Sequence, residues 1–289
     1  MSTGTNLSFA DAHLHTNPVK GLGAEKVAKL MIEKNLWFAA IVSLPHWDYG
    51  IELKSMEDYK KIFDIHIGEC LKAKQKGLVV SCFAGLHPAE IDRLIDKGMP
   101  HDRVFELSVQ ILDFLFKSCE EGVIQGVGEV GRQHYNVRPD KALIAQLVLE
   151  HAIMKSNEHD CLLQLHMENI KGFTAWSIKL LLEKINGKKN LIIFHHMKPG
   201  VIEDVNKLGF FTTTPAHIDS LEVVFKRSDI NYLLIESDYT DEPSFKRNII
   251  EPWRIPDIEK ELASRGVIGL DELYRINIDN VEKAFDVKY

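Results

Sequence analysis

Eight short apolar runs, spaced along the chain between longer stretches of helical periodicity, constrain its fold more than any other feature. They are Leu7–His15, Phe38–Leu44, Leu78–Gly85, Val123–Gly128, Cys161–His166, Leu191–His195, Gly209–Thr214 and Tyr232–Glu236. Each has the length and β-branched or aromatic character of a buried strand. Between them, apolar residues recur at three- and four-residue intervals, as in Val27, Leu30 and Met31, in Val104, Leu107, Ile111, Phe114 and Leu115, and in Ile144, Leu147, Val148, His151 and Ala152. That spacing lines one face of a helix. Strands alternating with helices call for a parallel sheet, and eight is the number at which a (β/α)8 TIM barrel closes. The 289 residues fit a single barrel domain over 1–289, ended by a helical region at Leu270–Phe285.

An open, doubly wound sheet uses the same alternation, so the polar residues must decide. An open sheet gathers its chemistry at one switch point, whereas a barrel collects it from the carboxyl ends of many strands. Here nearly every run ends on a ligand-type side chain. The first gives Asp11-Ala12-His13-Leu14-His15, in which period-two alternation sends His13 and His15 to one side. The fourth continues into Gly126-Val127-Gly128-Glu129-Val130-Gly131, where flanking glycines allow close packing around the Glu129 carboxylate. The fifth stops at His166, the sixth at His195 and His196, and the eighth at Glu236-Ser237-Asp238.

Imidazole and carboxylate converging on one rim supply enough donors for a binuclear metal centre with positions left for water. Two divalent ions are expected, of zinc, manganese, magnesium or iron. Such ions lower the pKa of water and polarise a carbonyl or phosphoryl oxygen. Asp238 is the natural proton acceptor at that rim.

Composition narrows the function further. The formal charge of −7 provides no broad basic field for nucleic acid, so any such contact must be local. With 45% hydrophobic and 27% charged residues, the composition is that of an ordinary soluble globular protein. Met1–Ala10 lacks the basic start and apolar core of a secretion signal, and no apolar run nears the ~18 residues of a membrane span, so a cytoplasmic location is expected. Cys70, Cys82, Cys119 and Cys161 are scattered without CxxC or paired spacing, and read as small buried apolar residues.

The ordered set DAHLH (11–15), GLHP (85–88), GVGEVG (126–131), LQLH (163–166), FHH (194–196) and ESD (236–238) resembles the TatD-like metal-dependent hydrolases of the amidohydrolase superfamily. The closing INIDNVEKAF (276–285) is similar to that family's C-terminal segment, in which an asparagine precedes a final helix. The resemblance implies that His13, His15 and Asp238 hold one metal and that His166 and a strand-six histidine hold the second, with Glu129 bridging. His195 and His196 are both open as that histidine. The spacing from His196 to Pro199 resembles the archaeal-type branch and favours His196, with His195 as the alternative. The resemblance also implies deoxyribonuclease or phosphodiesterase chemistry on a nucleic-acid end or a small molecule. Hydrolysis of an amide, lactone or small phosphoester is the alternative, and a metal-binding protein without catalysis a third.

Arg132 and His134 stand where the family commonly has Leu-Asp-Tyr after the glycine, and are expected to bind a substrate anion, as is His87 before Pro88. Lys198 and Arg254 are further cations for a strand end. His46, with Trp47 and Asp48, reads as a surface cluster, and Asp241–Pro256 as a loop near the active face.

Overall fold

A computed structural model describes residues 7–227, 229–242 and 250–289. Strands β1 (Phe9–Leu14), β2 (Leu36–Val42), β3 (Val79–Ala84), β4 (Gly126–Gly131), β5 (Leu162–His166), β6 (Ile192–His195), β7 (Phe211–Pro215) and β8 (Leu233–Glu236) pair in parallel, in chain order. Helices intervene, among them Ala24–Glu33, Met56–Gln75, Pro88–Asp96, His101–Glu120, Pro139–His159, Thr174–Ile185, Pro199–Lys207 and Ile218–Arg227. The ring closes where β1 meets the segment just past β8. Leu14 bridges Tyr239 in parallel, the His15 N–H donates to Tyr239 O at 2.7 Å, and the Asp238 N–H donates to His13 O at 3.0 Å. The fold is therefore the (β/α)8 TIM barrel, and closure removes the edges that an open sheet would keep.

The expected strands recur within a few residues, with one informative shift. Strand β4 runs Gly126–Gly131 instead of Val123–Gly128, because Val123 still belongs to the helix exit, donating its N–H to Ser118 O at 2.9 Å. Glu129 thus lies inside a strand and not beyond one.

Two apolar layers follow from strand alternation. Ala10, Phe38, Ala40, Val42, Phe83, Ile193, Phe211 and Leu234 face inward, while residues such as Phe9, Ala39, Ile41, Val127 and Leu163 face the helices. Val281, Ala284 and Phe285 of the last helix, Asn280–Phe285, complete the inner layer, with the Phe285 ring 4.8 Å from that of Phe38. Asn280 Nδ2 donates to Ile230 O and Leu233 O at 2.6 and 2.8 Å, so this helix plugs the mouth at the strands' amino ends. The opposite mouth is left for chemistry.

Both strands that carry the most unusual polar residues are bulged. In β1, Asp11 to Leu14 opposes the shorter stretch Ala39 to Ile41, and in β4, Val127 to Val130 opposes Leu163 to Leu165. One extra residue in each resets the alternation and re-aims the side chains at the bulge. Asp11 supports the first, its Oδ1 accepting from the N–H of His13 at 3.2 Å and of Ser237 at 3.0 Å. The second depends on glycine: a Cβ on Gly128 would come within 2.7 Å of the Gln164 Cβ, and one on Gly131 would collide with the His166 carbonyl.

The cysteines correct the sequence reading. They are buried, but paired: Cys70 with Cys82 and Cys119 with Cys161, at Cα separations of 6.0 and 6.3 Å. The first joins helix Met56–Gln75 to the strand β3 it packs upon, and the second joins helix His101–Glu120 to the residue just before β5, juxtapositions that sequence spacing does not encode. No helix among the described residues is long and apolar enough to cross a membrane.

Candidate metal centre

His13 and His15 are 0% and 4% exposed, and their Nε2 atoms face each other at 3.2 Å. Their other nitrogens fix the tautomers. His15 Nδ1 donates to Val42 O at 2.9 Å. Gln164 Nε2 donates to Ala12 O at 3.0 Å, which turns its Oε1 toward His13 Nδ1 at 2.8 Å, so that Nδ1 also carries hydrogen. In the neutral rings both Nε2 atoms then present lone pairs to the same spot, a pair that a proton or a metal ion between them would satisfy. Burial opposes a charge on His13, but the Glu129 carboxylate outweighs it and pushes His13 up to about 9. Burial and the neighbouring His13 push His15 down. The pocket attracts positive charge.

Glu129 is the junction of the site. One oxygen, Oε1, lies 3.5 Å from His13 Nε2 and 3.5 Å from His15 Nε2. The other, Oε2, lies 2.6 Å from His166 Nδ1 and 3.3 Å from His195 Nε2. Burial works against its charge, yet the surrounding histidines hold its carboxyl well below the usual range. Asp238 Oδ1 faces the same centre, 3.9 Å from both His13 and His15 Nε2 and 4.0 Å from His195 Nε2. No lysine or arginine ion pair to Glu129, Glu236 or Asp238 occurs among the described residues, so imidazoles are left to face these carboxylates. Nitrogen and carboxylate donors in two sets sharing one glutamate fit divalent ions.

Of the two strand-six histidines, the one whose ring meets this group is His195, while His196, preferred from the sequence, is turned toward the outer side of Asp238. His195 is 2% exposed, and its ring stacks on that of His13 with centroids 3.6 Å apart. Its Nδ1 donates to Glu236 Oε2 at 2.8 Å, which frees Nε2 toward Glu129. Neighbouring side chains on a strand point oppositely, and His196 already leaves the strand at φ 59°. His196 Nδ1 instead lies 3.1 Å from the outer oxygen of Asp238, Oδ2, and 3.6 Å from Glu236 Oε1. Burial lowers its proton affinity, but pairing with those two carboxylates prevails and pushes His196 up to about 11.

Glu236 was quoted in the sequence motif but given no role. It is 0% exposed and also accepts from Thr213 Oγ1, so it holds His195 in one tautomer. The available signal was its period-two offset from Asp238. Gln164, which fixes His13, sits two residues before His166 in the same way.

The remaining expected residues divide. His87 Nε2 comes within 3.8 Å of Glu129 Oε2. His87 Nδ1 accepts from the Ala89 N–H at 3.1 Å as the cap of helix Pro88–Asp96, so the neutral ring carries its hydrogen on Nε2 and is a donor toward the site. His134 Nδ1 lies 2.8 Å from His166 Nε2, behind that histidine. Arg132 does not face the centre: Nε and Nη2 donate to Glu168 at 2.8 and 2.7 Å in a bidentate pair, and Nη2 also reaches Ser177. Its donors are spent on structure. His46 is buried, not at the surface, with Nδ1 3.0 Å from Glu90 Oε1. Of the expected Asp241–Pro256 loop, 243–249 lie outside the described residues. Asp241 itself is buried, accepting from the N–H groups of Asn17, Leu22 and Gly23. A cleft of about 520 Å³ beside the centre is lined by His134, Tyr135, Asn169, Ile170, His196 and Lys198, among others.

A closed barrel with histidines and carboxylates converging at the carboxyl ends of β1, β4, β5, β6 and β8 defines the metal-dependent hydrolase class of TIM barrels. The model of the TatD related DNase family matches residues 10–286, and the chain belongs to that family. The uncharacterized protein MJ1127 of Methanocaldococcus jannaschii is 26% identical over 283 residues, covering 98% of this chain and 97% of that protein. The crystal structure of the TatD-like protein from Archaeoglobus fulgidus superimposes with a TM-score of 0.64 at 17% identity, over 96% of this chain and 100% of that one. A mutant of the PTE-like lactonase from Deinococcus radiodurans superimposes with a TM-score of 0.61 at 12% identity, over 97% and 96%. The scaffold is thus shared by a TatD-like protein and a PTE-like lactonase.

Proposed function

We propose that this protein hydrolyses phosphoester bonds, in a nucleic-acid end or a small phosphodiester, with two divalent ions held by the rim residues. The observation that carries this reading is Glu129, whose two oxygens face two separate sets of imidazoles. His13, His15 and Asp238 would hold one ion, His166 Nδ1 and His195 Nε2 the other, with Glu129 between them. Bound ions of this kind supply Lewis acidity and lower the pKa of water from ~15.7 to around 7.

The chain's own residues supply the rest. Asp238 Oδ1 faces the centre and accepts the proton of the attacking water. His196, clamped on Asp238 Oδ2, keeps that carboxylate turned inward. His87 Nε2–H donates to a substrate oxygen from the opposite side of Glu129. Lys198, in the cleft lining, offers a cation to a phosphate.

With Arg132 committed to Glu168, the described cleft has little to neutralise a long backbone, which favours a strand end or small ester over a wrapped duplex. The same restriction supports, as a second reading, hydrolysis of a lactone, amide or small phosphoester.

Incubation of the metal-reconstituted protein with single-stranded DNA tests the first reading. Release of mononucleotides, abolished in Asp238→Asn, supports it. Intact DNA at high enzyme concentration alongside metal-dependent turnover of a lactone or simple phosphoester would transfer the assignment to the second.

A further inference from the structure

Away from the rim, helix Met56–Gln75 carries His66 and Cys70 one turn apart on one face, and β3 brings Cys82 to the same point. His66 Nε2 lies 3.4 Å from Cys82 Sγ and 3.6 Å from Cys70 Sγ. All three residues are buried, at 1–2% exposure, and their ligand-type atoms fall within 4.8 Å of one another. Cys70 and Cys82 belong to the apolar layer between barrel and helices.

We propose that the Cys70–Cys82 disulfide is one state of a redox-controlled metal site, and that the reduced pair, with His66, binds a borderline or soft divalent ion of the zinc class. A disulfide that only staples helix to strand has no use for an imidazole beside both sulfurs, and burying a polar ring costs free energy. A third donor aimed at two thiols is what a Cys2His chelate needs.

The chemistry balances. A cellular dithiol delivers two electrons and two protons, the Sγ–Sγ bond breaks to give two thiols, and the dithiol leaves as a disulfide. Binding of the dication releases both thiol protons to solvent. Two thiolates, one neutral imidazole and one dication sum to zero, the charge state an apolar layer tolerates. Sulfur and nitrogen without oxygen select zinc-like ions over magnesium or calcium, unlike the carboxylate-rich rim.

Cobalt(II) added to the full chain separates the two sites, because only thiolate ligation gives an intense sulfur-to-cobalt charge-transfer band. The oxidised protein should show rim cobalt and no such band. After treatment with a phosphine reductant and reagent removal, one further equivalent should bind with the band, and zinc should displace it. The Cys119→Ser/Cys161→Ser double variant should retain the band, and Cys82→Ser in that background should lose it while keeping the rim cobalt spectrum that reports a folded barrel. A reduced, folded double variant without the band, or a band surviving Cys82→Ser, overturns the proposal.

Discussion

The Nε2 atoms of His13 and His15 meet at 3.2 Å while the Nδ1 of each ring is turned away onto an oxygen acceptor. Two lone pairs held this close are a binding site in waiting for positive charge, built by the β1 bulge and by Gln164. Ions that bind the folded chain alone stabilise it by mass action, about 2.7 kcal/mol at a hundredfold excess over Kd. Thermal melts of chelator-treated protein should therefore rise by several degrees on adding zinc or manganese, and the rise should shrink in His13→Asn, which keeps only the ion against His166 and His195. An equal response in that variant would place the stabilising ion elsewhere.

Glu236 and His196 are separable by substitution. Removing the carboxylate that fixes His195 in Glu236→Ala should weaken metal binding about 10–100-fold, the usual cost of losing such a partner. His195→Asn should lose an ion outright, whereas His196→Asn should keep full metal content and lose rate, because Asp238 is no longer clamped. Equilibrium dialysis with metal analysis reads all three. Normal content in His195→Asn with depletion in His196→Asn would reverse the assignment.

Glu259, 0% exposed on helix Ile255–Ser264, accepts from Asn277 Nδ2 at 2.6 Å, and Asn277 Oδ1 in turn accepts the Ala10 N–H at 2.9 Å. Burial raises Glu259 from 4.5 to about 8, the Asn277 hydrogen bond opposing it without prevailing. The folded chain then keeps a proton that the unfolded chain releases above 4.5, so this contribution is full below 4.5, declines with rising pH and levels off above about 8. Its size is on the order of a few kcal/mol. Urea midpoints should fall between about pH 5 and about pH 9, and Glu259→Gln should flatten the fall. A slope unchanged in the variant would assign it to other groups.

The Cys119–Cys161 bond closes a loop with a sequence separation of 42. In the chain-entropy account such a cross-link stabilises by roughly 3–4 kcal/mol, so Cys119→Ala/Cys161→Ala should lower the denaturant midpoint by a corresponding amount with little change in metal content. A variant as stable as the parent would show that the bond is not retained in solution.

Much of the barrel was legible because buried parallel strands are short, apolar and regularly spaced, and because His13, Glu129, His166 and Asp238 end or interrupt them. The less legible parts depend on contacts across the fold. Period-two reasoning assumes an unbroken strand, so it gives no notice of the bulges at Asp11–Leu14 and Val127–Val130 that decide what faces inward. His195 and His196 are chemically alike in sequence; only the left-handed turn at His196 separates them. Arg132 reads in sequence as a free cation because its partner Glu168 lies 36 residues on. The disulfides likewise join residues that meet only when helices pack on strands.

Everything proposed for the rim requires one ion on each side of Glu129. An anomalous difference map from crystals grown with manganese or zinc tests it most directly. Two peaks sharing the Glu129 carboxylate are expected, one against His13, His15 and Asp238 and one against His166 and His195. A barrel mouth without anomalous density, or a lone ion that Glu129 does not touch, would contradict it.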